Sequence, residues 1–138
     1  MPDPRLDLQA LLICDYALTA QDGKISAIGL FSQINVMSLP AVHGRLFIVA
    51  VLETDPGVHE LDLQVLAPSG RPILQNAPRL QMDVPEGASN ANLVADLNGL
   101  ELTELGPHRV ELRRGDRLLG SAAFRVVMPW PAGPAGQA

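Results

Sequence analysis

Turn chemistry punctuates this chain from end to end: Asp22-Gly23, Asp55-Pro56-Gly57, Pro68-Ser69-Gly70, Pro85-Glu86-Gly87, Gly106-Pro107 and Gly115-Asp116. Each pairs a residue that accepts positive φ with one that fixes or tolerates the bend, which is what tight turns require. No stretch between them holds apolar residues at i, i+3, i+4 and i+7 for three turns with capping signals, so helix is a minor component at best. Short β-rich runs between turns predict an all-β sandwich or barrel.

The runs can be drafted as strands. Leu8–Ala17 is nearly continuous in apolar residues, and Lys24–Val36 follows the turn at Gln21-Asp22-Gly23 as the second arm of a hairpin. Gly29, near the middle of that arm, marks a bulge or a close backbone approach. Arg45–Thr54 is the most apolar strand. Val58–Leu66 alternates, with His59, Leu61, Leu63 and Val65 on a dry face and Glu60, Asp62 and Gln64 on a wet one. Pro78 interrupts Ile73–Val84 and makes it an edge or two short pieces. Ala91–Asn98 alternates, a corner at Leu102–Gly106 leads through His108, Val110 and Leu112, and a turn at Arg114-Gly115-Asp116 returns the chain through Leu118–Val127. The expected organisation is one domain, residues 1–128, and a Pro/Gly-rich disordered tail, 129–138.

Composition removes several classes of function. Aromatic residues make up 4% of the 138, too few for base-stacking platforms, and 10 basic against 15 acidic residues give a net charge of −5, so no nucleic-acid partner is expected. The longest apolar run, Leu46–Leu52, is far short of a membrane span, and the first residues lack the basic start of a signal peptide. The single cysteine, Cys14, excludes an intrachain disulfide. No membrane association and a cytoplasmic location are expected.

Chemistry-bearing residues do not assemble into a catalytic motif. Cys14 sits in an apolar strand with no basic neighbour to lower its pKa, and reads as a small hydrophobe. His43, His59 and His108 are isolated from one another and from any cysteine pair, so zinc spacing is absent. No phosphate-binding loop or G-x-S-x-G elbow occurs. Arg114-Gly115-Asp116 spells an integrin-recognition tripeptide, but Gly-Asp between two alternating strands is hairpin chemistry. Asp15-Tyr16, a charge following five apolar residues, stands out. With His43 it forms the candidate pocket set Asp15, Tyr16 and His43. No catalytic residue, metal ligand or cofactor is expected.

Ala10–Cys14 and Leu46–Leu52 pose a separate question. A two-layer sandwich wets one face of each sheet, so strands apolar on both faces need a second cover. A loop, a short helix or another subunit of the same protein would serve. Leu46, Ile48, Val49 and Val51 are the candidate interface, one parity of which must serve the core. The expected partner is a second copy, in a dimer or larger homo-oligomer, with an unidentified protein partner as the alternative.

Two stretches carry resemblances. Leu12-Ile13-Cys14-Asp15-Tyr16-Ala17, then Gly23-Lys24-Ile25-Ser26-Ala27-Ile28-Gly29-Leu30-Phe31, then Leu39-Pro40-Ala41-Val42-His43, resembles a bacterial family of small, functionally uncharacterised proteins, which implies no activity. Leu97–Val127, with its Leu-x-x-Leu-Gly corner and closing hairpin, resembles the end of immunoglobulin-like sandwiches, His108 standing where a corner tyrosine would be. The expected fold is thus a two-sheet immunoglobulin-like β-sandwich of about seven to nine mostly antiparallel strands. The expected function is a non-enzymatic cytoplasmic binding or assembly module that self-associates. The alternatives are a small-ligand or metal-binding protein or enzyme with its site in loops at one end of the sandwich, and a structural component of a larger assembly.

Overall fold

A computed structural model describes residues 4–129. Of the expected disordered tail, all but Pro129 lies outside the described residues. The described residues form nine strands: β1 (Leu6–Thr19), β2 (Ile25–Leu30), β3 (Gln33–Asn35), β4 (Ala41–Thr54), β5 (Gly57–Leu66), β6 (Arg79–Val84), β7 (Asn90–Leu102), β8 (Gly106–Arg114) and β9 (Arg117–Val127). They build a four-stranded sheet in the order β2-β1-β4-β7 and a five-stranded sheet in the order β3-β9-β8-β5-β6. All neighbours are antiparallel except β3, which runs parallel to β9.

The core lies between the sheets. β5 alternates as its sequence demands, sending His59, Leu61, Leu63 and Val65 inward. They meet Leu46, Ile48, Ala50 and Leu52 of β4 and Val110, Leu112, Phe124 and Val126 of β8 and β9. β6 is the edge beyond Pro78. The Arg114-Gly115-Asp116 stretch is a two-residue hairpin turn in which Gly115 takes φ +59° and Arg114 pairs with Arg117. That is the glycine-first geometry of a type II′ turn.

β4 is apolar on both sides, and its two faces have different covers. Its even residues, 46 to 52, fill the inter-sheet core. Phe47 and Val49 face the other way and form a second cluster with Cys14 and Ala17, joined by Leu12, Val51, Val94, Ile25 and Ala27. Cys14 and Val49 are 0% and 1% exposed, so this outer face is dry. The cover is the chain's own β1–β2 hairpin. β1 pairs with β4 only from Leu6 to Cys14, and with β2 only from Cys14 to Thr19. Cys14 lies opposite Phe47, yet the carbonyl of Gly23 at the hairpin tip accepts from Asn92 Nδ2 at 3.5 Å, and Asn92 lies opposite Val51. A hairpin running straight on from Cys14 would carry Gly23 past Arg45, in the opposite direction. Instead it doubles back about four residues, roughly 13 Å at strand rise. It lies over the sheet as a flap.

The fold-back needs a hinge, and the β1–β2 ladder skips one pair, Asp15 and Gly29. Gly29 has φ +72°, which L residues avoid, and a Cβ there would sit 2.5 Å from Asp15 Oδ2. Across this irregularity the faces switch: Ala17, Ile25 and Ala27 turn to the sheet, while Tyr16, Leu18 and Ile28 turn outward. Of the two expectations for this glycine, the close approach is met, and the register passes it with no extra residue, so there is no bulge. Lys24–Val36, expected as a single strand, is two: beyond Leu30 the chain crosses to the other sheet, where Asn35 and Gln33 pair with β9.

Replacing Gly29 with alanine is expected to destabilise the protein by about 1–2 kcal/mol in denaturant melts, chiefly through its φ. The Asp15 carboxylate can swing aside, so Asp15→Ala should recover only a minor part of the loss in a double-mutant cycle.

Candidate functional site

Cys14 is fully buried, its Sγ–H donating weakly to the Phe47 carbonyl at 3.7 Å, and burial pushes its thiol pKa up. A raised thiol pKa suppresses the thiolate, so the residue is a packing element. His59, also buried, places Nε2 2.8 Å from both Thr54 Oγ1 and the Asp55 carbonyl, and so ties the β4–β5 turn.

The candidate pocket set Asp15, Tyr16 and His43 does not converge. His43 lies opposite Leu100, a core residue, and its ring leans on Phe31 at 5.9 Å between centroids. Tyr16 packs edge-on against Phe47 at 5.2 Å, on the other side of β4, and Asp15 is exposed at the flap hinge. The sequence conceals this separation because β4 switches faces near Gly44. Ala41 packs into the core while Val42 is exposed, and the facing strand turns with it at Gly99, φ +66°. Of the candidate interface, Leu46 and Ile48 take the core parity, whereas Val49 and Val51 lie beneath the flap.

What the outside offers instead is the convex face of the flap. Tyr16, Leu18 and Ile28 are 45%, 40% and 56% exposed. The register makes them neighbours, with Tyr16 opposite Ile28 and Leu18 opposite Ser26, whereas Leu30 lies opposite Cys14 on the far side of the hinge. The flap's far strand, β2, is an edge, and no Asp, Glu, Lys or Arg occurs from Ile25 to Gly44. Natural edges usually carry charge or proline against association. That twenty-residue gap was visible in the sequence; that Ile28 within it faces outward beside Tyr16 and Leu18 was not, because the hinge decides it. Beside the patch, Arg45 forms a two-point pair with Asp96, at 2.9 and 2.6 Å, and its guanidinium sits 4.8 Å from the Phe47 ring centre. Hydrogen bonding from Arg45 lowers the Asp96 pKa.

The opposite end of the sandwich is a structural tie. Ser69 donates from Oγ and from its backbone N–H to the Glu104 carboxylate, at 2.6 and 3.1 Å, joining the β5–β6 connection to the β7–β8 corner. The Ser69 hydrogen bond lowers the Glu104 pKa. Beneath it His108 donates from Nδ1 to the Gly106 carbonyl at 3.0 Å and stacks on Phe124 at 5.1 Å. With Nδ1 protonated, Nε2 is a buried lone pair without a donor. A histidine thus makes the side-chain-to-backbone bond of a sandwich corner. Among the described residues no three His, Cys, Asp or Glu side chains cluster as metal ligands, and no helix is long and apolar enough to cross a membrane.

Two packed sheets, the strand order β3-β9-β8-β5-β6 over β1-β4-β7, and a short first-sheet crossover pairing parallel to the last strand define an immunoglobulin-like β-sandwich. The chain belongs to a family of unknown function, DUF6941, whose model matches residues 9–127. No curated protein matches it. Among solved structures, an immunoglobulin-like protein from Pseudomonas aeruginosa is 18% identical, covering 89% of this chain and 97% of its own, with a TM-score of 0.47. The alkylpurine DNA glycosylase AlkC from Pseudomonas fluorescens, bound to DNA containing an abasic site analog, is 14% identical with a TM-score of 0.52. A β-glucosidase from Bifidobacterium adolescentis is 8% identical with a TM-score of 0.51. The match takes in 91% and 89% of this chain but only 31% and 17% of those two, so what it shares with them is a fold.

The depressed Asp96 and Glu104 carboxyls stabilise the fold above the unfolded carboxylate range, near pH 4. That contribution is lost as pH falls through their lower folded values. Thermal melts should therefore show Glu104→Gln less stable than the parent at pH 6, the gap closing by pH 2.5. At the corner, His108→Phe keeps the stacking and loses the bond to Gly106, for an expected cost of about 1 kcal/mol.

Proposed function

We propose that the chain is a non-enzymatic binding or assembly module of the cytoplasm that self-associates through the convex face of its β1–β2 flap. One observation carries the reading: three large apolar side chains, Tyr16, Leu18 and Ile28, stand exposed side by side next to a strand, β2, that carries no charge. Monomers rarely leave such a patch open, and an apolar surface centred on an aromatic is what protein interfaces bury. The surface differs from the one the apolar β4 run suggests, because the flap already occupies that face.

Other features support the reading without carrying it. Beside the flap Arg45 is engaged with Asp96, and Asp15, Tyr16 and His43 face different ways. A lone buried thiol suits a reducing compartment, where no disulfide is needed.

Light scattering on a sizing column should give a multiple of 14.7 kDa that falls with dilution. Ile28→Lys, a change at an exposed position, should yield the monomer with a cooperative melt that no longer depends on protein concentration, a loss of about 1–3 kcal/mol in association. A parent that stays monomeric at every concentration, or a variant that associates as the parent does, overturns the proposal.

A further inference from the structure

We propose that the open edge of β9 is a strand-addition site for an extended segment of another protein, one in which apolar residues alternate with acidic ones. The site is separate from the flap face, and the inference does not rest on self-association.

The backbone supplies the first part of the argument. Within a strand, the N–H and C=O of one residue point to the same side, and successive residues point to opposite sides. Arg125 N–H donates to the Ser32 carbonyl, away from β8. Ser121 and Ala123 share its parity, so their groups also point outward. β3 reaches only Arg125 to Val127 on that side, because the chain upstream of Gln33 leaves for the flap. Among the described residues no strand pairs with Gly120–Phe124 in the lane on that side, where β1 passes beneath with Leu8 packed against Gly120, and two donors and two acceptors face outward without a strand partner. A row of unpaired backbone groups selects an extended chain.

Apart from the uncharged β2 edge of the flap, the other edges are shielded. β6 lies between Pro78 and Pro85 and carries Arg79 and Asp83; β7 carries Asp96, Glu101 and the irregularity at Gly99. β1 has Asp7 and a register shift between Leu8 and Ala10. β2 is broken by Gly29. Gly120–Phe124 has neither charge nor proline.

The surroundings define the occupant. On the inner side the lane borders a groove of about 330 Å³ lined by Leu11, Leu12, Leu30, Phe31, Ala122 and Ala123, which suits apolar side chains. On the outer side Arg109 lies opposite Ala123, and Arg125 follows two residues on. Phe124, Val126, His108 and Val110 are buried, so both arginines project from the outer face. Arg109 pairs with Glu111 at 2.8 Å, whereas Arg125 has no carboxylate within 4.0 Å among the described residues. Alternate residues of an added strand would face the apolar groove and the arginines in turn. A second copy's β9 does not fit the lane. Pairing antiparallel with its Ser121 opposite Ala123, it would drive its own β8–β9 hairpin into the space beside Arg125, where Gln33 sits.

The test uses two peptides, acetyl-Glu-Val-Glu-Val-Glu-Val-amide and its lysine counterpart, titrated into the full chain with backbone amides followed by NMR. In the peptide-free protein the Ser121 and Ala123 amides should exchange rapidly with solvent. The glutamate peptide should shift both signals and slow their exchange, in preference to the lysine peptide and against the chain's net charge of −5. Arg125→Ala should weaken its binding about two- to fivefold, the range of an exposed ion pair. Arg125→Glu should reverse the preference.

Ser121→Pro removes an N–H that has no partner in the fold and should abolish the response, its spectrum elsewhere reporting that the sandwich is intact. No shift at millimolar glutamate peptide, equal binding of both peptides, or binding that survives Ser121→Pro overturns the proposal. So does protection of the two amides that rises with protein concentration alone, which would place a second copy in the lane. Repeating the titration in Ile28→Lys separates this outcome from failure of the flap interface.

Discussion

A strand that is apolar on both faces must be dried on both faces, and β4 sets this condition for the whole molecule. One side is ordinary: Leu46, Ile48, Ala50 and Leu52 meet the inner face of the opposite sheet. The other side would leave Phe47, Val49 and Val51 in water if the hairpin ran on straight. Burying side chains of that size contributes roughly 1.5–3 kcal/mol each, enough to organise the path of thirty residues around it. The flap is therefore a third layer over part of a two-layer fold, and the sharp turn of β1 at Cys14 follows from it.

Glycine makes the arrangement geometrically possible in two places by the same device. At Asp15/Gly29 and again at Gly44/Gly99, a pair is skipped, a glycine takes positive φ, and the two strands exchange faces together. Because both partners switch, the register continues undisturbed. A local change of side is achieved without a slip that would turn every later residue inside out. The first switch presents small residues, Ala17 and Ala27, to the sheet, letting the flap lie close. It also turns the larger Leu18 and Ile28 outward, so the close fit inside and the exposed patch outside have one cause.

This device also marks the boundary of what could be read from the residues. Where alternation is unbroken, as in Val58–Leu66, side chains fall where their spacing puts them, and Gly115-Asp116 closes its hairpin as turn chemistry requires. The same holds for the demand that β4 be covered twice. Identity of the cover could not be read, because Ala10–Cys14 and Lys24–Val36 look the same whether the hairpin lies flat or doubles back. Nor could the fate of Asp15, Tyr16 and His43 be read: period-2 counting carries no information across a skipped pair. His108 is intermediate. Its corner position is legible, while its bond to the Gly106 carbonyl depends on φ +112° at that glycine.

The parallel pairing of β3 with β9 has a consequence in time. Gln33 finds its partner in Arg125, ninety-two residues later in the chain. At synthesis rates of roughly 5–20 residues per second, that partner emerges about 5–20 s after β3 does. During this interval the uncharged stretch from Ile25 to Gly44 is outside the ribosome without the strand that anchors it. A nascent chain of this design spends its most adhesive segment waiting, which makes translation speed and chaperone occupancy determinants of how much of it reaches the sandwich.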